Sequence, residues 1–389
     1  MNQKQNAQIN WKLLITAYFS LLCHALFENG RGPAYPQILE FFNVSSDRGS
    51  LLFAIGTLAG LIVNLTSKWW LPKFGAIKAL RYSSTLMFLG SFLYFLFPWK
   101  AYAFSYLIFA SCIAGIGASG SAIPMNILTA KSTSNTYRRR ALAGLHGIYG
   151  VSSLSVPFLF SFWMNSGFIW YSFFLLISVA PFVLFILTNQ NFEFQKQDYS
   201  TRNMNFTVNW RIRFLVGLCF ALYVSGEILI SSRLVYYLQE TTSLQRQVTE
   251  WSLGAFFLFL TIGRLIFALF NISFTSINAM LVSTVLASLC LLVGLNHNVW
   301  FLPLTGLFIS WFFPVGIGWL SEKFGESMDA MTASMFTWVN FFLIFMHSGF
   351  GLVAERYGIQ AAFRLPLFFF LGSFLLLILL EFFILKQKG

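Results

Sequence analysis

The chain has 389 residues, of which 57% are apolar, 19% aromatic and only 10% charged, with 48 Phe and a mean hydropathy of +0.70. That balance excludes an ordinary soluble domain and makes the chain an integral membrane protein. A net charge of +12 does not make it a nucleic-acid binder, because there is no basic soluble face and none of the usual nucleic-acid motifs occurs.

A hydrocarbon core about 30 Å thick takes roughly 20 helical residues to cross. Apolar runs between polar or Gly/Pro breaks predict spans near 11–41, 47–70, 76–97, 101–130, 139–163 and 167–188. The first run carries no small-residue cleavage site, so it reads as a retained helix and not a signal peptide. A second set of runs follows near 210–239, 249–270, 274–294, 299–321, 329–353 and 360–385. Between the sets lies the longest polar stretch, NQNFEFQKQDYSTRNMN. The expected fold is therefore an all-α membrane protein of twelve transmembrane helices in two pseudo-symmetric six-helix bundles: residues 1–188, a cytoplasmic linker at 189–209, and residues 210–389.

Positively charged loops stay in the cytoplasm. With the N-terminus inside, 17 of the 25 Lys and Arg residues fall on the inner side, including Lys68, Lys73, Lys78, Arg81 and Arg138 to Arg140. Both termini are expected to be cytoplasmic in a multi-pass protein of the inner membrane.

An internal repeat supports the two halves independently of hydropathy. NWKLLITAYFSLLCHALF (10–27) is echoed by NWRIRFLVGLCFALY (209–223), FAIGTLAG (53–60) by FFLFLTIG (256–263), and Ile123-Pro124 by Phe313-Pro314. Repeats of this kind belong to secondary transporters, whose substrate site lies near the bilayer midplane where the repeats meet.

On these features the chain resembles the major facilitator superfamily over nearly its whole length. The loop after span two in that family carries Gly-x-x-x-Asp-Arg-x-Gly. Here Lys73-Phe74-Gly75 fits its end, while Pro72 replaces the acidic residue. Gly263-Arg264 and Glu322-Lys323-Phe324-Gly325 look like degenerate copies, so the resemblance implies gating roles for Lys73, Gly75, Gly263 and Arg264. LHGIYG (145–150) and GEILISSRLVYYL (226–238) look like the sugar-permease branch typified by fucose permease.

Positions i, i+4, i+7 and i+11 share a helix face, so His24, Glu28, Arg31 and Tyr35 form one polar stripe on span one. A charged side chain at the bilayer centre costs about 2.5 to 3.5 kcal/mol, so Glu28 and Arg31 should face a wet cavity or each other. A self-satisfied i, i+3 pair is the plainer account. Against it, the repeat places Glu227 of span seven at the position matching Arg31. The favoured expectation is a central cavity where Arg31 holds an electronegative substrate group and Glu28 or Glu227 carries a proton.

Span five offers His146, Tyr149, Gly150 and Ser153 on one face. A lone His in a helix is more often a packing residue, but the resemblance makes His146 an equal candidate for proton or substrate contact. In span eleven Asn340 and His347 share a face, and Trp338 could stack on a sugar ring, although packing is its commoner role. Arg233, nearer the outer end, is expected to snorkel.

Cys23, Cys112, Cys219 and Cys290 lie inside apolar spans without CxxC or metal spacing and read as core residues. No phosphate loop, HExxH or GxSxG is present, so neither an enzyme nor a nucleotide-driven pump is expected, and no cofactor or metal. The expected function is proton-coupled uptake of a small polar organic solute, a sugar or a carboxylate-bearing compound such as a siderophore, by a monomer whose partners are substrate, protons and membrane lipid. The runner-up is an exporter by proton antiport. Drug exporters of the superfamily carry Gly-Pro-x-x-Gly-Gly in span five, and SSLSVPFLFSFW (152–163) has the proline without the glycines.

Overall fold

A computed structural model describes residues 9–100, 102–189, 208–269 and 275–386. The side chains of Arg138 and Arg139 and most of the predicted linker lie outside the described set. The described residues form helices and short connections, with no strand among them.

In chain order the helices are α1 (Trp11–Phe42), α2 (Ser46–Trp99), α3 (Phe104–Lys131), α4 (Asn135–Asn165), α5 (Ser172–Asn189), α6 (Trp210–Thr241), α7 (Arg246–Leu269), α8 (Ser276–Asn296), α9 (Phe301–Ile309), α10 (Phe312–Phe324), α11 (Met328–Tyr357), α12 (Ile359–Ala362) and α13 (Leu365–Lys386). Eleven helical stretches among the described residues are long and apolar enough to cross a membrane. One of them, α2, runs for 54 residues, about 81 Å at 1.5 Å per residue, which is two spans. The chain is thus a twelve-span, multi-pass membrane protein.

Three predicted features differ locally, each with a physical reason. Spans two and three are one bent helix whose break falls at Gly75, with φ 73° and ψ 164°. This left-handed conformation costs a side-chain-bearing residue energy that glycine escapes. Span ten is two pieces, α9 and α10, because Pro314 has no N–H to return to the Ser310 carbonyl. Span twelve begins as the single turn α12 after Gly358, whose φ of 84° ends α11. Elsewhere polar caps set the starts: Asn10 Oδ1 accepts from the Leu13 amide at 3.1 Å, Asn209 from Arg211 at 2.9 Å and Thr275 from Asn278 at 3.3 Å. Each such cap contributes about 1 kcal/mol.

The chain forms two compact units. Unit 1 holds residues up to 30, then 55–156 and 166–200; unit 2 holds 31–54, 157–165 and 201–389. Unit 1 packs around Leu13, Ala17, Leu21, Cys23, Met87, Leu128, Leu145 and Leu184, with Tyr149 against this core. In unit 2 α6 is the central helix, lying on α7, α11 and α13. The Tyr223 ring stacks on Phe312 at 3.6 Å, and its hydroxyl donates to the Ile309 carbonyl. Cys23, Cys219 and Cys290 are buried free thiols, as their setting in the sequence implies. Large exposed apolar side chains such as Trp11, Phe162, Leu352 and Phe368 are solvated by acyl chains in a membrane-spanning fold.

Candidate functional site

Unit 1 carries one part of the predicted stripe. His24 Nδ1 donates to the Ala118 carbonyl of α3 at 3.1 Å, which fixes the proton on that nitrogen. Glu28 is half-buried. Its neighbour Asn29, which sequence reasoning missed, donates to the Ser153 hydroxyl of α4 at 3.0 Å. Ser153 in turn donates to the Tyr149 carbonyl at 2.7 Å. The predicted face of α4 therefore meets α1 through Asn29 and Ser153, with Tyr149 half-buried and His146 exposed. Lys73 stands 6.0 Å over the Phe74 ring, next to the Gly75 bend.

Unit 2 carries the rest, and its most unusual feature is a buried cationic cluster. Arg31 of α1 is 3% exposed, Arg233 of α6 1% and His347 of α11 4%. All three converge on Phe53 of α2. The Arg31 guanidinium carbon lies 4.8 Å from the ring centroid and that of Arg233 3.8 Å. The His347 imidazole stacks on the same ring at 5.2 Å and 28°. Arg233 also lies 4.2 Å over Tyr35 and 5.2 Å over Phe350.

Cation–π contacts hold a desolvated guanidinium at about 2 kcal/mol each at best, well short of the cost of burying an unpaired ion. Arg31 Nη1 donates to the Leu52 carbonyl at 3.3 Å. Arg233 donates to the Ser232 carbonyl at 3.3 Å and the Ser50 hydroxyl at 3.5 Å. Among the described residues no carboxylate lies within ion-pair distance of Arg233, and its buried Nε and His347 Nδ1 have no hydrogen-bond partner. This arrangement can receive an anion.

The local scaffold is tightly built. Tyr35 is fully buried and its hydroxyl donates to the Ser46 carbonyl at 3.1 Å. Its ring meets Phe53 at 5.6 Å and Tyr236 at 5.3 Å. The Tyr236 and Ser46 hydroxyls are 2.7 Å apart. Gly32 lets α1 approach α6, since a Cβ there would lie 3.3 Å from the Ser231 carbonyl.

The reading of Arg233 as a snorkelling side chain is corrected here. It points inward among rings, two helical turns short of the end of α6, and is 1% exposed. The sequence signal for this is the unbroken apolar flank LVYYL after it.

Glu227 is held elsewhere in unit 2. Its Oε1 lies 4.0 Å from Arg264 Nη2, with side-chain exposures of 18% and 33%. Arg264 Nε donates to the Ser310 carbonyl at 3.4 Å, the acceptor that Pro314 leaves free. Gly263 lies against Ser310 of the same break. Asn340 bonds back to the Phe336 carbonyl at 2.9 Å. Trp338 packs edge-on against Phe214 at 4.9 Å and Phe341 at 5.7 Å.

Residues 17–191 match the sequence profile of the Major Facilitator Superfamily. Over that stretch, just under half of its length, the chain is similar to that superfamily. A search of curated protein sequences finds no match. Among solved structures it is similar to a D-xylose–proton symporter, with a TM-score of 0.73 and 12% identity over 94% of this chain and 97% of that one. It is also similar to a variant of the nucleoside transporter NupG, at 0.71 and 13% over 96% and 98%. The fucose–proton symporter FucP of E. coli, again a variant, gives 0.62 and 14% over 95% and 98%. At such identities the likeness is one of fold.

Proposed function

We propose that this transporter moves a small polar organic solute bearing an electronegative group, a carboxylate foremost, by proton-coupled uptake across the inner membrane. The observation that carries the proposal is the pair of buried guanidiniums, Arg31 and Arg233, sharing Phe53, with no carboxylate in reach of Arg233. A bound carboxylate supplies the missing charge and accepts from the guanidinium N–H groups, the strongest class of side-chain hydrogen bond. His347, stacked on Phe53, and Tyr35, beneath Arg233, border the same cluster. Glu28 and Glu227 are the proton carriers of this reading; His24, His146, Tyr149, Trp338 and Asn340 are its further candidates for substrate or proton contact, each within its own unit, and Lys73, Gly75, Gly263 and Arg264 serve gating. The xylose and fucose symporters among the similar structures, both named as proton-coupled, support solute–proton coupling here. The excess of Lys and Arg on one side supports cytoplasmic termini. Alternating access of the two six-helix halves moves the solute past the cluster.

The test is solute counterflow in vesicles of known orientation, with sugars, sugar acids and organic acids at two pH values. The expected result is exchange of carboxylate-bearing solutes, accumulation driven by a proton gradient, and loss of exchange in Arg31→Gln and Arg233→Gln. Exchange of neutral sugars alone, untouched by either substitution, would overturn the proposal. Net outward movement under an inward proton gradient would establish the exporter instead.

A further inference from the structure

Glu250, a buried acid that this transport reading leaves unused, sits one turn into α7. Its side chain is 0% exposed. Among the described residues its one ion-pair partner is Arg246, whose Nε lies 3.5 Å from Oε1 and whose own side chain is 39% exposed. Neither carboxylate oxygen has a hydrogen-bond donor among the described residues.

The packing around Glu250 explains the shortage. From α6 comes Gln239, whose amide is tied to Thr249 at 3.2 Å. Helix α9 carries no ionisable residue, and α1 meets α7 through Gly32 and Leu253. Residues 157–165 lie on the same face, with the Phe158 ring against Gly254. They bring the Ser161 hydroxyl to face the carboxylate without hydrogen-bond geometry between them. Among the described residues Arg246 is the one cation within ion-pair distance of Glu250.

An ionised carboxylate in this place would be stripped of water on every side and met by a single cation, itself partly hydrated and screened. A protonated carboxyl carries no charge, and its O–H needs one acceptor, for which the Ser161 hydroxyl oxygen, itself without a partner among the described residues, is the candidate. We infer that Glu250 is a proton-binding site, occupied while the start of α7 is packed on residues 157–165 and emptied to water when that packing opens. The proton leaves the carboxyl for an entering water, and the carboxylate left behind is solvated and paired with Arg246. Opening of this end is thereby tied to release of one proton. This rests on the proton-coupled reading only for its purpose, not for the occupancy itself.

The test is infrared difference spectroscopy of the full chain in liposomes near neutral pH, wild type minus Glu250→Gln. Expected is a carboxylic-acid C=O band, sensitive to deuterium, that is present in the wild type, absent in Glu250→Gln and retained in Arg246→Gln. Glu250→Gln, a neutral isostere, is also expected to unfold no earlier than the wild type. Absence of the band, or a large loss of stability in Glu250→Gln matched by Arg246→Gln, would show an ionised, salt-bridged Glu250 and overturn the inference. A band in a protein whose solute accumulation ignores the proton gradient would uphold the site while refuting the coupling reading.

Discussion

Separate and joint replacement of Glu227 and Arg264 by Gln measures how strongly α6 is tied to α7 at the break in span ten. At the observed 4.0 Å, two unit charges attract by about 4 kcal/mol at an effective dielectric near 20. Side-chain exposures of 33% and 18% admit enough water to reduce that, and we expect a coupling of about 1–2 kcal/mol. The two single variants should differ. In Glu227→Gln the guanidinium keeps the Ser310 carbonyl at 3.4 Å, so its loss is the smaller. In Arg264→Gln both Glu227 and the Ser310 carbonyl lose a partner. Equilibrium unfolding of the purified protein in mixed micelles gives the three free energies, and the double variant should cost less than the sum of the singles. Strict additivity, or equal losses in the two singles, would refute the account of this pair and of the role of Pro314.

Arg233→Leu should keep most of the stability of the fold, because it removes a charge without an acidic partner along with three ring contacts, each worth about 0.5–2 kcal/mol. Thermal unfolding in detergent checks this, and a collapse of expression would count against the cluster as a strained, binding-ready site. Phe53→Ala should cost about 3–5 kcal/mol, since this 3% exposed ring carries three cationic or imidazole neighbours and leaves a cavity. Gly32→Leu should destabilise by about 1–3 kcal/mol through overpacking against the α6 backbone, while Gly32→Ala, whose Cβ stands 3.3 Å from the Ser231 carbonyl, should cost much less. Pro314→Ala should create an amide protected from hydrogen exchange by the Ser310 carbonyl, and an unprotected amide there would refute the cause assigned to the break.

Much of the fold was legible because membrane helices announce themselves by length and hydropathy, and the ends of α1, α6 and α11 fall within a few residues of the runs that predict them. The bend at Gly75 and the interruption before Pro314 were written in residue types, yet the reach of each helix past its apolar core was not. The candidate site was legible by residue and not by partner. Arg31 and Tyr35 stood out as polar groups in an apolar helix, and both are buried where α1 meets α2. Arg233 was misread because one helix cannot reveal that rings from two others surround its head group. Glu250 was hidden by its place beside Arg246, where an i, i+4 pair normally signals a solvated surface. Residues 31–54 and 157–165 pack with unit 2, which no hydropathy pattern discloses, and that packing brings Phe53 to Arg233 and Ser161 to Glu250.

The most direct measurement is the affinity of the purified protein for matched solute pairs, a sugar acid and its parent sugar, in the wild type, Arg31→Gln and Arg233→Gln. A carboxylate received by Arg233, which has no carboxylate in ion-pair reach among the described residues, should be held at least tenfold more tightly than its neutral parent, about 1.4 kcal/mol, and that preference should vanish in Arg233→Gln. Equal affinity for acid and parent in the wild type, or a preference that survives loss of Arg233, would contradict the account.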